Sequence, residues 1–151
     1  MRTKFRIFLA WLALFVVLSS RVIAADGAGP ALKVETAKGL RAFQVELATS
    51  PSQQAMGLMF RRSLAPNAGM LFVYPAGTRV TMWMKNTLIP LDMVFIASDD
   101  RISHIVERTV PESTELIGSD GPVRAVLELN AGTVSRLGIK VGDRVDHPAL
   151  Q

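Results

Sequence analysis

The stretch TMWMKNTLIPLD, residues 81–92, joins two apolar runs through a segment that is rich in hydrogen-bonding side chains. In its first half Met82 and Met84 alternate with Trp83 and Lys85. A period of two is expected for a strand that has one buried face. The stretch therefore begins with a predicted strand that buries its methionines and exposes its indole and ammonium groups.

A second apolar run, residues 91–97, follows a short loop at residues 87–90 and predicts another strand. Two strands so close in sequence predict a β-hairpin. In that hairpin Lys85 would lie opposite Asp92, and the resulting ammonium–carboxylate pair would stand beside the indole of Trp83. We therefore expect an exposed polar tip on this hairpin.

The first residues of the chain have the pattern of an export signal. Three basic residues within the first six positions precede an unbroken apolar run at residues 7–18, and small residues follow up to Ala24. This order predicts a secretory signal peptide over residues 1–24 and a periplasmic or secreted protein. As a helix the apolar run would span roughly 18 Å, short of the ~30 Å membrane core, so cleavage is favoured over a retained anchor.

The length and charge of the chain after the predicted leader restrict its domain count and its partners. Removal of the leader leaves 127 residues, which we divide into a flexible lead-in at 25–30 and one domain at 31–148. Four of the 17 basic residues lie in the leader, so 13 remain against 13 acidic residues. This balance argues against nucleic acid or a membrane surface as a partner. The chain has no cysteine, which excludes a disulfide framework.

The domain is predicted to be mainly β with one or two short helices. Apolar patterns, continuous at 70–74 and mostly alternating elsewhere, predict strands at 32–35, 43–47, 70–74, 101–110, 123–129 and 144–146. Ser50 as N-cap with Gln53 at the third helical position predicts one helix, and Asn130 is the predicted cap of a second helix that ends at Gly138. Residues 111–122 predict a long loop.

Several short segments keep their order across residues 43–146. They are Gly57-Leu58-Met59 with Arg61, Gly69-Met70-Leu71-Phe72, Trp83-Met84-Lys85-Asn86-Thr87, Pro90-Leu91-Asp92, Val126-Leu127-Glu128-Leu129 with Ala131-Gly132, and Gly142-Asp143. Together they resemble the family catalogued as domain of unknown function 192. The resemblance implies a small, mainly β, barrel-like or partly open domain with a helix or two, often exported in bacteria, and without an established activity.

The candidate ligand-binding residues belong to the predicted hairpin and its edge. They are Arg61, Trp83, Lys85, Asn86, Thr87 and Asp92. Their cationic, amide, hydroxyl and carboxylate groups predict a binding module for a small polar ligand, a glycan or a segment of an envelope protein. In the structural alternative, Asn86 holds a turn, Lys85 and Asp92 close the hairpin as an exposed pair, and Trp83 belongs to the core.

Two other functions remain open at this point. One is a small cell-envelope hydrolase in which Asp92 is the base and Lys85 the electrostatic stabiliser. The other is a structural accessory protein that contacts a partner through residues 111–122. Asp92 paired with Glu128 or Glu46 would suit acid–base chemistry, although their spacing does not show that they meet.

Metal and cofactor chemistry has little support in the sequence. His104 and His147 are the only histidines, and without cysteine they do not form a zinc or copper set. No metal site and no cofactor is predicted.

Overall fold

The computed structural model describes residues 29–151, so the predicted signal peptide at residues 1–24 lies outside the described residues. The strands are β1 (Leu32–Thr36), β2 (Gly39–Ala48), β3 (Ala68–Met82), β4 (Leu91–Ile96), β5 (Ile102–Val106), β6 (Ile117–Asn130) and β7 (Arg144–Asp146). The helices are α1 (Pro51–Met56), α2 (Thr133–Leu137) and a final 3-10 turn at Pro148–Leu150. Within these residues, no helix has the length and apolar character that a membrane crossing requires.

The seven strands form one curled sheet in the order β5-β4-β6-β3-β2-β1-β7. Neighbouring strands are antiparallel, except that β2 and β3 run parallel. The two outer strands approach each other at a bridge between Arg101 and Arg144, and the backbone N–H of Val145 donates to the carbonyl oxygen of Asp100 at 2.8 Å. The sheet is therefore a half-barrel, and the predicted mainly β, partly open fold is confirmed.

The predicted hairpin is wrong because β6 lies between β3 and β4. Both strands run antiparallel to β6 and are therefore parallel to each other. Met82 ends β3 opposite Ile117, whereas Leu91 begins β4 opposite Asn130 at the other end of β6. Residues 83–90, which we call the crossover segment, must travel back along one face of the sheet, since parallel strands need a crossover connection.

Other strand boundaries also differ from the sequence prediction, since β2 begins at Gly39 instead of residue 43 and β5 ends at Val106 instead of residue 110. β3 is a single strand of 15 residues, although its pairing with β6 is irregular between Val73 and Thr78. Pro75 and Gly77 lie in that irregularity, which is why the sequence indicated two strands instead of one. β6 begins at Ile117, so the second half of the predicted loop at 111–122 is strand.

Two of the three predicted helix caps are found in the structure. The Ser50 hydroxyl accepts from the backbone N–H of Gln53, and the Gln53 side chain accepts from the backbone N–H of Ser50, which completes the capping box of α1. Gly138 closes α2 in the left-handed conformation with φ 70°. The N-cap of α2 is Gly132, however, because the Asn130 amide instead donates to the carbonyl oxygen of Leu64 at 3.0 Å.

The sheet has a hydrophobic cluster on each face. One cluster fills the inside of the curl and joins β1, β7 and α2 to residues such as Leu71 and Leu127. The other lies on the opposite face, beneath the crossover segment, and contains Phe72, Met84 and Val126. Since successive residues of β6 point to opposite faces, both faces of this central strand are buried.

Candidate functional site

Asp92 lies in the interior, and its predicted position at an exposed tip is wrong. Its side chain is fully buried. One carboxylate oxygen accepts the backbone N–H groups of Arg108 at 2.9 Å and Gly132 at 3.1 Å, and the other accepts the backbone N–H of Val134 at 2.9 Å. Asp92 thus joins three segments of backbone. The ion pairs found in residues 29–151 do not include the predicted pair of Asp92 with Lys85.

Trp83 and Lys85 do lie together at the surface. The indole of Trp83 is 44% exposed, and the ammonium nitrogen of Lys85 is 5.2 Å from the centroid of its ring. That distance suits a cation–π contact. The two side chains therefore share a face, as the alternation of residues 82–85 predicted.

Asn86 and Thr87 shape the crossover segment. Asn86 has φ 57°, which is the left-handed region that Asn tolerates better than most residues. Its carbonyl oxygen accepts from the backbone N–H of Phe60 at 2.8 Å. Thr87 is buried, and its hydroxyl donates to the carbonyl oxygen of Lys85 at 3.4 Å. Both residues thus hold local backbone geometry in this part of the chain.

Arg61 is paired with Glu46 and lies beside a separate cleft. The guanidinium donates twice to the carboxylate, with one of the two contacts at 2.7 Å. This hydrogen bonding lowers the pKa of Glu46 from its ordinary value. The pair lines a cleft with residues that include Gln53 and Met70. Because both side chains are partly exposed, the ion pair contributes about 0.2–1 kcal/mol to stability.

A cleft of about 270 Å³ opens between α1, β3, β6 and the crossover segment. Glu128 lines it and is the only residue of its lining with a charged side chain. Apolar and neutral polar residues make up the rest of the wall, among them Gln54, Met59, Phe72, Tyr74, Met82, Trp83 and Thr87. We call this space the Glu128 cleft.

Strand register explains why a glutamate faces this cleft. Glu128 on β6 lies opposite Met70 on β3 and Met93 on β4, so the three side chains point to the same face of the sheet. Asp92 precedes Met93 and points to the other face, toward α2. Asp92 and Glu128 therefore do not form the carboxylate pair considered from the sequence.

Glu128 is largely buried and has no hydrogen-bond partner within the protein. It is 4% exposed, and its side chain forms no hydrogen bond or ion pair with any residue of the described range 29–151. Among these residues the fully enclosed side-chain atom without a partner is Nε of Arg41, so the Glu128 oxygens keep contact with the space of the cleft. Burial raises the pKa of Glu128 from an ordinary value of 4.5 to about 8, which favours the neutral acid at pH 7.

Three polar groups of the cleft use a donor within the protein. The Tyr74 hydroxyl donates to the Met82 sulfur at 3.7 Å, and the Gln54 amide nitrogen donates to the carbonyl oxygen of Val73 at 2.8 Å. The Thr87 hydroxyl donates to backbone, as described above. Burial, with Glu128 nearby, raises the pKa of Tyr74 to about 12. The Thr81 hydroxyl and the Trp83 indole N–H also belong to the lining and form no hydrogen bond within the described residues, so the cleft offers both acceptors and donors.

A larger cleft, of about 420 Å³, lies between the end of β5 and the start of β6. Its lining includes His104, Glu107 and Glu115, together with the exposed side chains of Val110 and Leu116. Both glutamates are exposed to water. Size alone favours this cleft, but within its lining there is no buried acid comparable to Glu128. We therefore place the candidate site at the Glu128 cleft.

Residues 32–147 match the family model for domain of unknown function 192 (DUF192), which is described as "Uncharacterized ACR". The match spans more than half of the 151 residues. The chain belongs to the DUF192 family.

Three similar proteins extend this finding. A crystal structure from Sinorhizobium meliloti, described as a putative transcription regulator, has 52% identity and a TM-score of 0.76 over 79% of this chain and 93% of that one. A crystal structure of a protein of unknown function from Novosphingobium aromaticivorans has 39% identity and a TM-score of 0.78 over 83% and 94%. A UPF0127 protein of Pyrococcus furiosus is 26% identical over 117 residues, which are 76% of this chain and 95% of the relative.

In this DUF192 member the residues predicted to bind a ligand did not include Glu128. Of the six predicted residues, Trp83 and Thr87 line the cleft, Lys85 lies over the Trp83 ring, and the other three lie elsewhere. The signal for Glu128 was present, because it interrupts the apolar run from Ala125 to Leu129. A strand segment with two apolar faces has no solvent side, so an acid within it is expected to be buried.

Proposed function

We propose that this protein is a binding module that takes up a small polar ligand in the Glu128 cleft. The observation that supports this most directly is the carboxyl group of Glu128, which is largely buried, has no partner within the protein and faces the cleft. Most buried polar groups in proteins have a hydrogen-bond partner. A ligand that hydrogen-bonds to Glu128 would supply that partner in place of water.

The shape and composition of the cleft support a small ligand. Its volume of about 270 Å³ is slightly below the ~300–1,000 Å³ of sites for drug-sized molecules. An aromatic wall with one polar anchor is also the usual composition of such sites. The cleft therefore suits a fragment-sized ligand or a single side chain of a larger partner.

Catalysis has weaker support than binding. A carboxyl group with a raised pKa in a cleft is what a general acid requires. Within the described lining, however, there is no second carboxylate and no histidine beside Glu128. The hydrolase with Asp92 as base loses its geometric support, because the Asp92 oxygens are occupied by backbone N–H groups.

Nucleic-acid binding is a further alternative, since the S. meliloti structure is described as a putative transcription regulator. Affinity for nucleic acid depends mainly on neutralisation of phosphates by a basic surface. The residues after the predicted leader carry 13 basic and 13 acidic side chains. This balance favours a small ligand over DNA.

We propose that binding takes place after export, to the periplasm or the medium. The basic, apolar and small-residue order of residues 1–24 supports this location. The N-terminal sequence of protein purified from an expressing cell tests it. A mature chain that begins at Ala25 supports export, and a chain that begins at Met1 argues against it.

The proposed binding is tested by a ligand screen with matched variants. Amines, amides and sugars are tested by protein-observed NMR against the unaltered protein, Glu128→Gln and Glu115→Gln. We expect shifts in the Glu128 cleft that are lost in Glu128→Gln and kept in Glu115→Gln, whose exposed carboxylate lines the larger cleft. Loss in Glu115→Gln alone would move the site to that cleft and refute the proposal.

A further inference from the structure

We infer that the ligand of the Glu128 cleft is a primary alkylamine, whose ammonium group pairs with the Glu128 carboxylate while its alkyl chain lies against Trp83. This inference rests on the proposed binding function and names the chemical class of the ligand. The source of the amine is either a free alkylamine or the side chain of a lysine, which have the same ammonium group and alkyl stem.

The lone acid of the cleft favours a cationic group. The donors of Tyr74, Gln54 and Thr87 are already used within the protein. Ionised Glu128 adds two oxygens that only accept hydrogen bonds. An ammonium group has three donors and a positive charge, so it complements ionised Glu128, whereas a carboxylate or phosphate would meet a like charge there.

The residues that face Glu128 from neighbouring elements carry no positive charge. β3 contributes Tyr74, β4 contributes Met93 and α1 contributes Gln54, none of which is cationic. The crossover segment contains Lys85, but this residue lies over the Trp83 ring and is not part of the cleft lining. The positive charge that would stabilise an ionised Glu128 must therefore come from the ligand.

The walls of the cleft also match an alkyl stem. Met59, Phe72 and Met82 provide apolar and polarisable surface for methylene groups. Trp83 adds the apolar surface of an indole against which the alkyl stem can lie. A stem of four carbons with a terminal ammonium fits the volume and chemistry of this space.

Binding of an amine displaces a proton from Glu128 to the solvent. In the free protein at pH 7 the carboxyl is mostly protonated, and the amine, with a pKa near 10.4, is already an ammonium ion. Pairing requires the carboxylate, so amine binding releases a proton, and more of it at pH 7 than at pH 9. For the same reason the affinity rises severalfold between these pH values.

The test is isothermal titration calorimetry of the purified protein with n-butylamine, Nα-acetyl-lysine N-methylamide and the neutral isostere n-butanol. Titrations in two buffers with different ionisation enthalpies measure the proton release. We expect the two amines to bind with the stated proton release and rise in affinity, and n-butanol not to bind. Tighter binding of the lysine derivative identifies a protein segment as the source, and tighter binding of n-butylamine a free amine.

Two variants keep the test interpretable. Glu128→Gln should weaken amine binding by at least 10-fold and abolish the proton release, while Glu115→Gln changes neither. Trp83→Ala alters an exposed side chain and should weaken binding roughly 3-fold. Binding of a neutral donor instead of an amine at Glu128 would overturn the amine inference and leave the binding function standing. If no ligand binds in a Glu128-dependent way, both fail.

Discussion

The carboxylate of Asp92 accepts a hydrogen bond from the backbone N–H of Val134, 42 positions further along the chain, at 2.9 Å. Through its other oxygen it accepts the backbone N–H groups of Arg108 and Gly132. β4, the loop after β5 and the first turn of α2 are thus joined at one buried group. A residue that the sequence indicated as a ligand contact is a structural one.

Asp92→Asn should lower the free energy of unfolding by about 3 kcal/mol or more. The amide NH₂ of asparagine would face backbone donors, and buried N–H groups would lose a charged acceptor. Urea denaturation measures the change. Asp99→Asn is the control, since Asp99 accepts one N–H in an exposed turn, and it should change stability by less than about 1 kcal/mol. Equal effects of the two variants would contradict the structural role of Asp92.

The stability of the protein should fall as pH rises between about 4.5 and about 8. In this window the folded state keeps a proton on Glu128, whose pKa is raised to about 8, while the unfolded state releases it. The free energy of unfolding then decreases by up to about 1.4 kcal/mol per pH unit and levels off above pH 8.

Urea denaturation of Glu128→Gln from pH 5 to pH 9 isolates this contribution. The slope should disappear in Glu128→Gln and persist in Glu46→Gln, because the pKa of Glu46 is lowered by its bond to Arg61 and its stabilising effect is lost only at lower pH. Parallel slopes in Glu128→Gln and the unaltered protein would show that Glu128 is not buried as a neutral acid.

Gly69→Ala should destabilise the protein by roughly 1–3 kcal/mol. A Cβ at position 69 would lie 2.6 Å from the backbone carbonyl oxygen of Glu128, so β3 and β6 would have to move apart. Gly118→Ala is a matched control in β6, because nothing lies within 4 Å of its added Cβ. Thermal unfolding compares the two variants, and an equal loss would rule out the close approach as the cause.

Lys85→Gln should increase the affinity for n-butylamine by roughly 2- to 5-fold, because it removes a positive charge beside the Trp83 wall of the cleft that repels the ammonium group. The melting temperature should stay nearly unchanged, since the side chain is exposed. Calorimetry at low ionic strength measures the affinity. A weaker amine affinity in this variant would indicate that Lys85 contacts the ligand itself.

Local features of the fold could be predicted because their causes are local. The capping box at Ser50 and Gln53 and the left-handed Gly138 depend on residues within a few positions of one another. Alternation likewise located the middle of most strands. The family resemblance supplied the barrel-like shape and is confirmed by the match over residues 32–147.

The order of the strands could not be predicted in the same way. The separation of Lys85 from Asp92 permits either a hairpin or a crossover, and the choice depends on β6, which lies 25 or more residues further along the chain. The Glu128 cleft exists only because the crossover segment passes over β6. The pairing of distant strands therefore determines which of the predicted residues lie close together. Local sequence patterns carry no information about that pairing.

The pairing of β1 with β7 has a consequence for biogenesis. Lys33 lies opposite Asp146, so the curl of the sheet cannot close until residues 144–146 have left the ribosome. Contacts between such distant segments slow folding. We therefore expect the pairing of β1 with β7 to be the slow last step of folding.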